Sequence, residues 1–233
     1  MAKALGWLTD KSLDFPPLHS ALSDPNGLLA VGGDLSPQRL VKAYQQGIFP
    51  WFNQGDAILW WSPSPRTVIE LPQIKVNKSL RKFLNKNIYS VSINQCFDRI
   101  IDYCADAPFR TEGTWIVDEM KQAYKDLHQL GYAHSIEVWK KNQLVGGLYG
   151  VAINSYFSGE SMFYLAPNAS KVALVSLVEL LKSENISFID CQMTNPFLTS
   201  MGAKEIKRED FIDAQKLAIN TPLRDSFWQP RFL

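Results

Sequence analysis

Apolar positions in this chain change their period from one stretch to the next, and the changes mark its elements. Alternation with a period of two runs through RTVIEL, YSVSI and the long stretch HSIEVWKKNQLVGGLYGVAINSYFSGESMFY, which predicts strands. Turn signals at Lys141-Asn142 and near Asn154 divide the long stretch into three antiparallel strands. Helical spacing takes over from about 78 to 86, near 95 to 104, in WIVDEMKQAYKDLHQLG, and from about Asn168 to Ser183. The short apolar run FIDCQ then predicts another strand. Because strand side chains alternate, Asp190 and Gln192 project together while Cys191 points away, and Glu160 and Met162 share a face opposite Ser161 and Phe163. An acid beside an amide on one strand face is a candidate site.

Residues 1–64 have a different texture, rich in Pro, Gly and Trp. Ser36-Pro37 starts a helix, with a hydroxyl cap and a proline in the first turn, and Gly47 stops it before IFPWF. Pro63 and Pro65 in LWWSPSPR forbid a long regular element, so the domain junction is placed there. The expected organisation is a small N-terminal domain over 1–64 and a larger domain over 65–233, with mixed strands and packed helices giving an α+β fold.

Composition narrows the function. The chain has 233 residues, 46% hydrophobic, with a formal net charge of +1, enough for one large domain or a medium and a small one. No apolar run approaches the roughly 20 residues of a membrane span, and MAKALGWLTDKSLDF lacks the core of a signal peptide, so a cytoplasmic location is expected. Cys96, Cys104 and Cys191 are too scattered for a disulfide framework or a CxxC site, and His19, His128 and His134 form neither HxxxH nor HExxH, so neither metal nor cofactor is expected. Gly146, Gly147 and Gly150 lie inside a hairpin, the wrong context for a phosphate cradle, and GESMF lacks the closing glycine of a nucleophile elbow, so Ser161 is not the nucleophile.

Charge is balanced overall but not locally. Between Glu70 and Asp98 there is no acid, while Lys75, Lys78, Arg81, Lys82 and Lys86 all fall there. Lys78, Lys82 and Lys86 recur every four residues with Arg81 beside them, leaving Leu80, Phe83 and Leu84 to pack inward. A one-sided basic helix suits a phosphate backbone, because cations near a polyanion release its counterions.

The segments DPNGLLAVGGDLSPQRLVKAYQQGIFPWF, LWWSPSPR, EGTWIV, HSIEVW, LVGGLYGV, GESMF, NASKVAL and IDCQMTN, in this order from about residue 24 to 203, resemble the bacterial leucyl/phenylalanyl-tRNA-protein transferases. The resemblance implies a GNAT-like acyltransferase domain, a mixed sheet flanked by helices, behind the small N-terminal domain. It implies transfer of leucine or phenylalanine, and less readily methionine, from aminoacyl-tRNA to an N-terminal Arg or Lys of a protein, marking that protein for degradation by the N-degron route. By motif, the family's catalytic pair falls on Asp190 and Gln192, and Asn195 helps hold the reacting ends. The aminoacyl side chain and terminal adenosine are assigned to Trp51, Trp115, Tyr124, Phe157, Glu160 and Met162. Several members place a histidine after this asparagine, where the present chain reads Pro196-Phe197.

The chemistry is modest. Aminoacyl-tRNA is already an activated ester, so only an amine correctly placed against its carbonyl is needed. An α-amine, with a reference pKa near 8, needs little deprotonation. Gln192 is assigned as the orienter whose carbonyl accepts from the amine, with Asp190 fixing the amide from behind. Phe157 and Met162 fall on opposite faces by alternation and can line one cavity only if the strand twists or bulges. A CoA-dependent acetyltransferase, a peptidoglycan-building aminoacyltransferase and a non-catalytic RNA-binding module are the rival readings. The first lacks a glycine-rich loop before NASKVAL, the second is normally longer, and the third has no use for the Asp190–Gln192 pair.

Overall fold

The computed structural model describes residues 5–106 and 114–233. A small sheet is built from β1 (Gly6–Leu8), β2 (Leu28–Gly32), β3 (Phe49–Pro50) and β4 (Leu59–Trp61) in the order β1-β2-β4-β3. Between β2 and β3 lies helix α1 (Pro37–Gln45), whose start is capped as read from sequence: the Ser36 side chain accepts from the Arg39 N–H at 3.4 Å. Gly47 ends the turn after α1 with φ +72, and a Cβ there would come within 2.6 Å of Ile212 and 2.9 Å of Phe211. Only glycine provides both that conformation and that close approach.

The second sheet comprises β5 (Arg66–Glu70), β6 (Ser90–Ile93), β7 (Ala133–Lys140), β8 (Gln143–Ile153), β9 (Tyr156–Tyr164), β10 (Phe188–Gln192), β11 (Lys204–Ile206) and β12 (Arg231–Phe232), in the order β11-β5-β10-β9-β8-β7-β6-β12. Every adjacent pair in it is antiparallel except β9 and β10, which run parallel. Helices α2 (Lys78–Leu84), α3 (Phe97–Ala105), α4 (Asp118–Gln129), α5 (Ala169–Lys182), α6 (Pro196–Ser200) and α7 (Arg208–Ile219) complete the α+β architecture. The change from one sheet to the other falls between Trp61 and Arg66, across the two prolines. The β7–β8 turn has Lys141 at φ +50 and Asn142 at φ +64, the pair of positive values a two-residue hairpin requires.

Alternation along β8 sends Tyr149, Val151 and Ile153 into one core with α3 and α4, and Leu148 and Ala152 into another with α5. The first core also takes Leu40, Tyr44, Phe49 and Trp60 from the small sheet and α1, so the two sheets share it. The basic helix is placed as expected: Leu80 is buried, Phe83 and Leu84 pack on the second core, and Lys78, Arg81, Lys82 and Lys86 are exposed. The C-terminal elements α7, β11 and β12 carry no strong sequence signal. In the fold α7 inserts Phe211 into the first core, while β11 and β12 extend the large sheet at its two edges. No helix among the described residues is long and apolar enough to cross a membrane.

Candidate active site

Parallel β9 and β10 meet at one register pair, Asp190 opposite Ser158, and beyond it both strands are irregular. In the β8–β9 ladder Gly150 pairs with Gly159 and Tyr149 with Ser161, which makes Glu160 the extra residue of a β-bulge. The bulge reverses the alternation that sequence alone predicts. Phe157 and Met162 therefore both pack toward the second core. Glu160 leaves the face of Met162 and turns toward α4, where its Oε2 accepts from the Tyr124 hydroxyl at 3.0 Å. On β10 the register shifts between Asp190 and Gln192, and Gln192 takes a left-handed backbone with φ +62.

A cavity of about 760 Å³ opens where these strands part. Its inner wall, taken as the part lined by buried side chains, is apolar: Leu148, Phe157, Leu174, Leu177, Ile189 and Leu198, with half-buried Met162 beside them. Its more exposed wall, the neck, is polar, with half-buried Glu160 and Gln192 and exposed Asn195, and Trp51, which follows β3, and Trp115 also line the cavity. Asn195 sits there because its side chain caps α6, accepting from the Leu198 N–H at 2.9 Å, with Pro196 in the first turn and Phe197 on the wall.

Three sequence expectations change here. Asp190 does not hold the Gln192 amide. It is completely buried, away from the cavity, and its carboxylate accepts from Arg66 Nε at 2.8 Å, Arg66 Nη2 at 2.7 Å, the Tyr156 hydroxyl at 2.6 Å and the Gln192 backbone N–H at 2.9 Å. The bulge explains this, since it turns Gln192 out of the plane in which the two side chains would have run side by side. Second, Cys191 lies on the cavity wall rather than away from it, and burial pushes its thiol well above the ordinary range, so it holds no thiolate at neutral pH. Third, Tyr124 is buried behind Glu160 and does not line the cavity. Its hydroxyl also meets that of Tyr44 from α1 at 2.5 Å.

The Gln192 amide is oriented by its neighbours. Its Nε2 donates to Glu160 Oε1 at 2.8 Å and to Ser158 Oγ at 3.3 Å, and Ser158 Oγ donates to the same Glu160 oxygen at 3.2 Å. A carboxylate accepts only, so the nitrogen must face it and the amide oxygen remains as an acceptor. Burial raises the Glu160 carboxyl to about 7, against the lowering effect of hydrogen bonds from Tyr44, Tyr124 and Ser158.

Sequence reasoning passed over Arg66, the residue that fixes Asp190. Its guanidinium lies over the rings of Phe211 at 4.5 Å and Phe49 at 5.0 Å, and Nη1 donates to the Gly47 carbonyl at 3.1 Å. Its available signal was a cation opening the apolar strand RTVIEL. The basic residues Lys78, Arg81, Lys82 and Lys86 are not on the cavity wall. The chain leading into α2 adjoins the end of α6 through the Lys75 N–H, which donates to the Met201 carbonyl at 2.8 Å.

Comparison with known proteins agrees over nearly the whole chain. The family model described as leucyl/phenylalanyl-tRNA protein transferase matches residues 68–216, and that of its N-terminal domain matches 33–64. A leucyl/phenylalanyl-tRNA–protein transferase of Colwellia psychrerythraea is 56% identical over 100% of this chain and 99% of its own length. Those of Pseudoalteromonas atlantica and Idiomarina loihiensis are 53% and 50% identical, covering 96% and 97% of this chain and 96% of each relative. Among solved structures, a GCN5-related N-acetyltransferase-like protein from Streptococcus suis aligns with a TM-score of 0.35 at 9% identity, over 71% of this chain and 62% of that one. On its family match and on identities of half or more over full length, this chain belongs to the leucyl/phenylalanyl-tRNA-protein transferases, a family of aminoacyltransferases.

Proposed function

We propose that the protein transfers leucine or phenylalanine, and less readily methionine, from aminoacyl-tRNA to the α-amine of an N-terminal Arg or Lys, marking the acceptor for N-degron-dependent degradation. The observation that carries this reading is the cavity's two-part wall, an apolar inner end joined to a polar neck beside two tryptophans. An apolar aminoacyl side chain fills the inner end against Phe157 and Met162, whereas a charged side chain would be left unsolvated there. The terminal adenosine stacks at Trp51 and Trp115, and the ester carbonyl comes to rest at the neck. Asn195, its oxygen engaged in the α6 cap, offers its Nδ2 donors to the reacting ends.

Gln192 acts as the orienter, its free amide oxygen accepting from the attacking amine. Asp190 serves the reaction at one remove, holding the backbone N–H of Gln192 while Arg66 holds Asp190. The exposed face of α2, with Lys78, Arg81, Lys82 and Lys86, contacts the phosphates of the tRNA, which fix its position without reading bases. A reaction supplied by charged tRNA belongs in the cytoplasm.

The decisive experiment is transfer of labelled leucine from charged tRNA to an Arg-led peptide, with a cell-wall precursor amine as the competing acceptor. Label on the peptide is expected; label on the precursor alone would overturn the assignment. In the same assay, replacing Lys78, Arg81, Lys82 and Lys86 with Gln should raise the KM for donor and flatten its salt dependence with little change among tRNAs. An unchanged salt slope would move the RNA surface elsewhere.

A further inference from the structure

We propose that Glu160 is the catalytic base, taking a proton from the acceptor's terminal ammonium at the neck of the cavity. The inference rests on the transfer reading above and adds to it the destination of the proton.

Among the described residues lining the cavity, Glu160 is the one carboxylate, and there is no lysine, arginine or histidine. The remaining titratable groups on that wall are Cys191, whose thiol burial keeps protonated, and the phenols of Tyr149 and Tyr164. Asp190 is excluded by geometry: it is buried outside the cavity and already accepts four hydrogen bonds, two of them from a guanidinium. Glu160 is differently placed. Ser158 on its own strand, Gln192 on β10 and Tyr124 on α4 donate to it, with Tyr44 of α1 behind Tyr124. These groups bring hydroxyls and an amide but no positive charge. The buried cation Arg66 is paired with Asp190, whose own negative charge adds to the rise at Glu160. A partly buried carboxylate with donors but no counter-ion, open to a cavity, is a site for an incoming ammonium.

The proton match supports the same assignment. Glu160 is raised to about 7 chiefly by burial, close to the reference value near 8 of an α-amine, so transfer between them is nearly balanced. Glu160 as carboxylate takes one proton from the ammonium and leaves a neutral amine. The nitrogen lone pair then forms the new bond to the ester carbonyl carbon, and the carbonyl π electrons move onto oxygen. Collapse re-forms the carbonyl and breaks the bond to the ribose oxygen, which leaves with its electron pair and takes the second proton from the now cationic nitrogen. Glu160 returns its proton to solvent, giving amide, free tRNA hydroxyl and one proton released. Gln192 is placed to position this exchange, since its amide nitrogen touches the base and its oxygen is free for the amine.

The test measures single-turnover leucine transfer to two acceptors, an Arg-led peptide and the same peptide with the α-amine replaced by an aminooxy group, whose nitrogen is neutral below pH 7 without help. Glu160→Gln should slow transfer to the Arg-led peptide about 100-fold but to the aminooxy peptide by less than about 5-fold. In wild type the rate to the Arg-led peptide should rise with pH through about 7, while the aminooxy profile stays flat there. Equal losses with both acceptors, or a wild-type Arg-led profile with no rise, would overturn the proposal, and the second arm needs no variant. Wild type that transfers leucine to neither acceptor would instead overturn the transfer reading itself.

Discussion

Asp190 and Glu160 sit on neighbouring strands, yet their surroundings give them opposite work. Asp190 lies in the core between the two sheets, matched by a bidentate guanidinium that is itself packed between Phe49 and Phe211. Glu160 lies at a cavity wall and receives only neutral donors. A fully compensated carboxylate in a dry core is held in one position. A carboxylate without a counter-ion keeps both protonation states within reach. The comparison separates scaffold from chemistry within a few ångströms of strand, and it can be broken at either end.

The largest effect is expected at the compensated end. Arg66→Met leaves Asp190 charged and unpaired in the core and should cost about 3–5 kcal/mol of stability, read as a lowered urea midpoint. Asp190→Ala leaves Arg66 stranded and should cost a similar amount, so donor binding falls together with turnover. The double variant Arg66→Met/Asp190→Leu should be less damaging to stability than either single one, because no unpaired charge remains. Single variants within about 1 kcal/mol of wild type would mean the pair is not the clamp described.

At the other end the effect is smaller and depends on pH. The folded carboxyl of Glu160 titrates near 7 against an ordinary 4.5, so between those values the folded state binds more protons than the unfolded one. Its contribution to stability is thus full below about 4.5 and is lost as pH rises through about 7, a decline on the order of 1–3 kcal/mol. Glu160→Gln should abolish the decline, matching wild type in acid and exceeding it above neutrality in urea unfolding at a series of pH values. Parallel curves for the two proteins would contradict the uncompensated environment.

The smallest change concerns the cavity's inner end. Truncating Met162 to Ala should cost leucine transfer through lost contacts and penalise phenylalanine less, because the larger ring occupies the vacated space. The ratio of kcat/KM for Phe-tRNA over Leu-tRNA should rise about 3-fold, within the range that one or two methylenes command. A constant ratio in a folded variant would assign Met162 to core packing alone.

Local chemistry was legible in the sequence wherever one short segment decides. The cap at Ser36-Pro37, the stop at Gly47, the hairpin at Lys141-Asn142 and the one-sided helix carrying Lys78 and Lys82 each follow from neighbours a few residues away. The C-terminal elements were not legible, because short edge strands and α7 owe their form to the sheet they complete. The ordered motifs from residue 24 to 203 identified the family, and with it Gln192, Asn195, Phe157 and Met162, all of which the structure brings to one cavity.

Which atoms touch was settled by tertiary structure. Sequence periodicity assumes an unbroken two-residue repeat, and one extra residue at Glu160 together with the left-handed backbone at Gln192 reverses it on both strands of the site. From sequence alone Asp190 and Gln192 form a pair, and so do Glu160 and Met162. In the fold Arg66 reaches Asp190 from the adjacent strand β5, 124 residues away along the chain, and Gln192 swings across the gap to Glu160. A strand's own sequence determines its alternation and its apolar character. Its bulges and its partners depend on what packs against both faces, and those contacts come from segments distant along the chain.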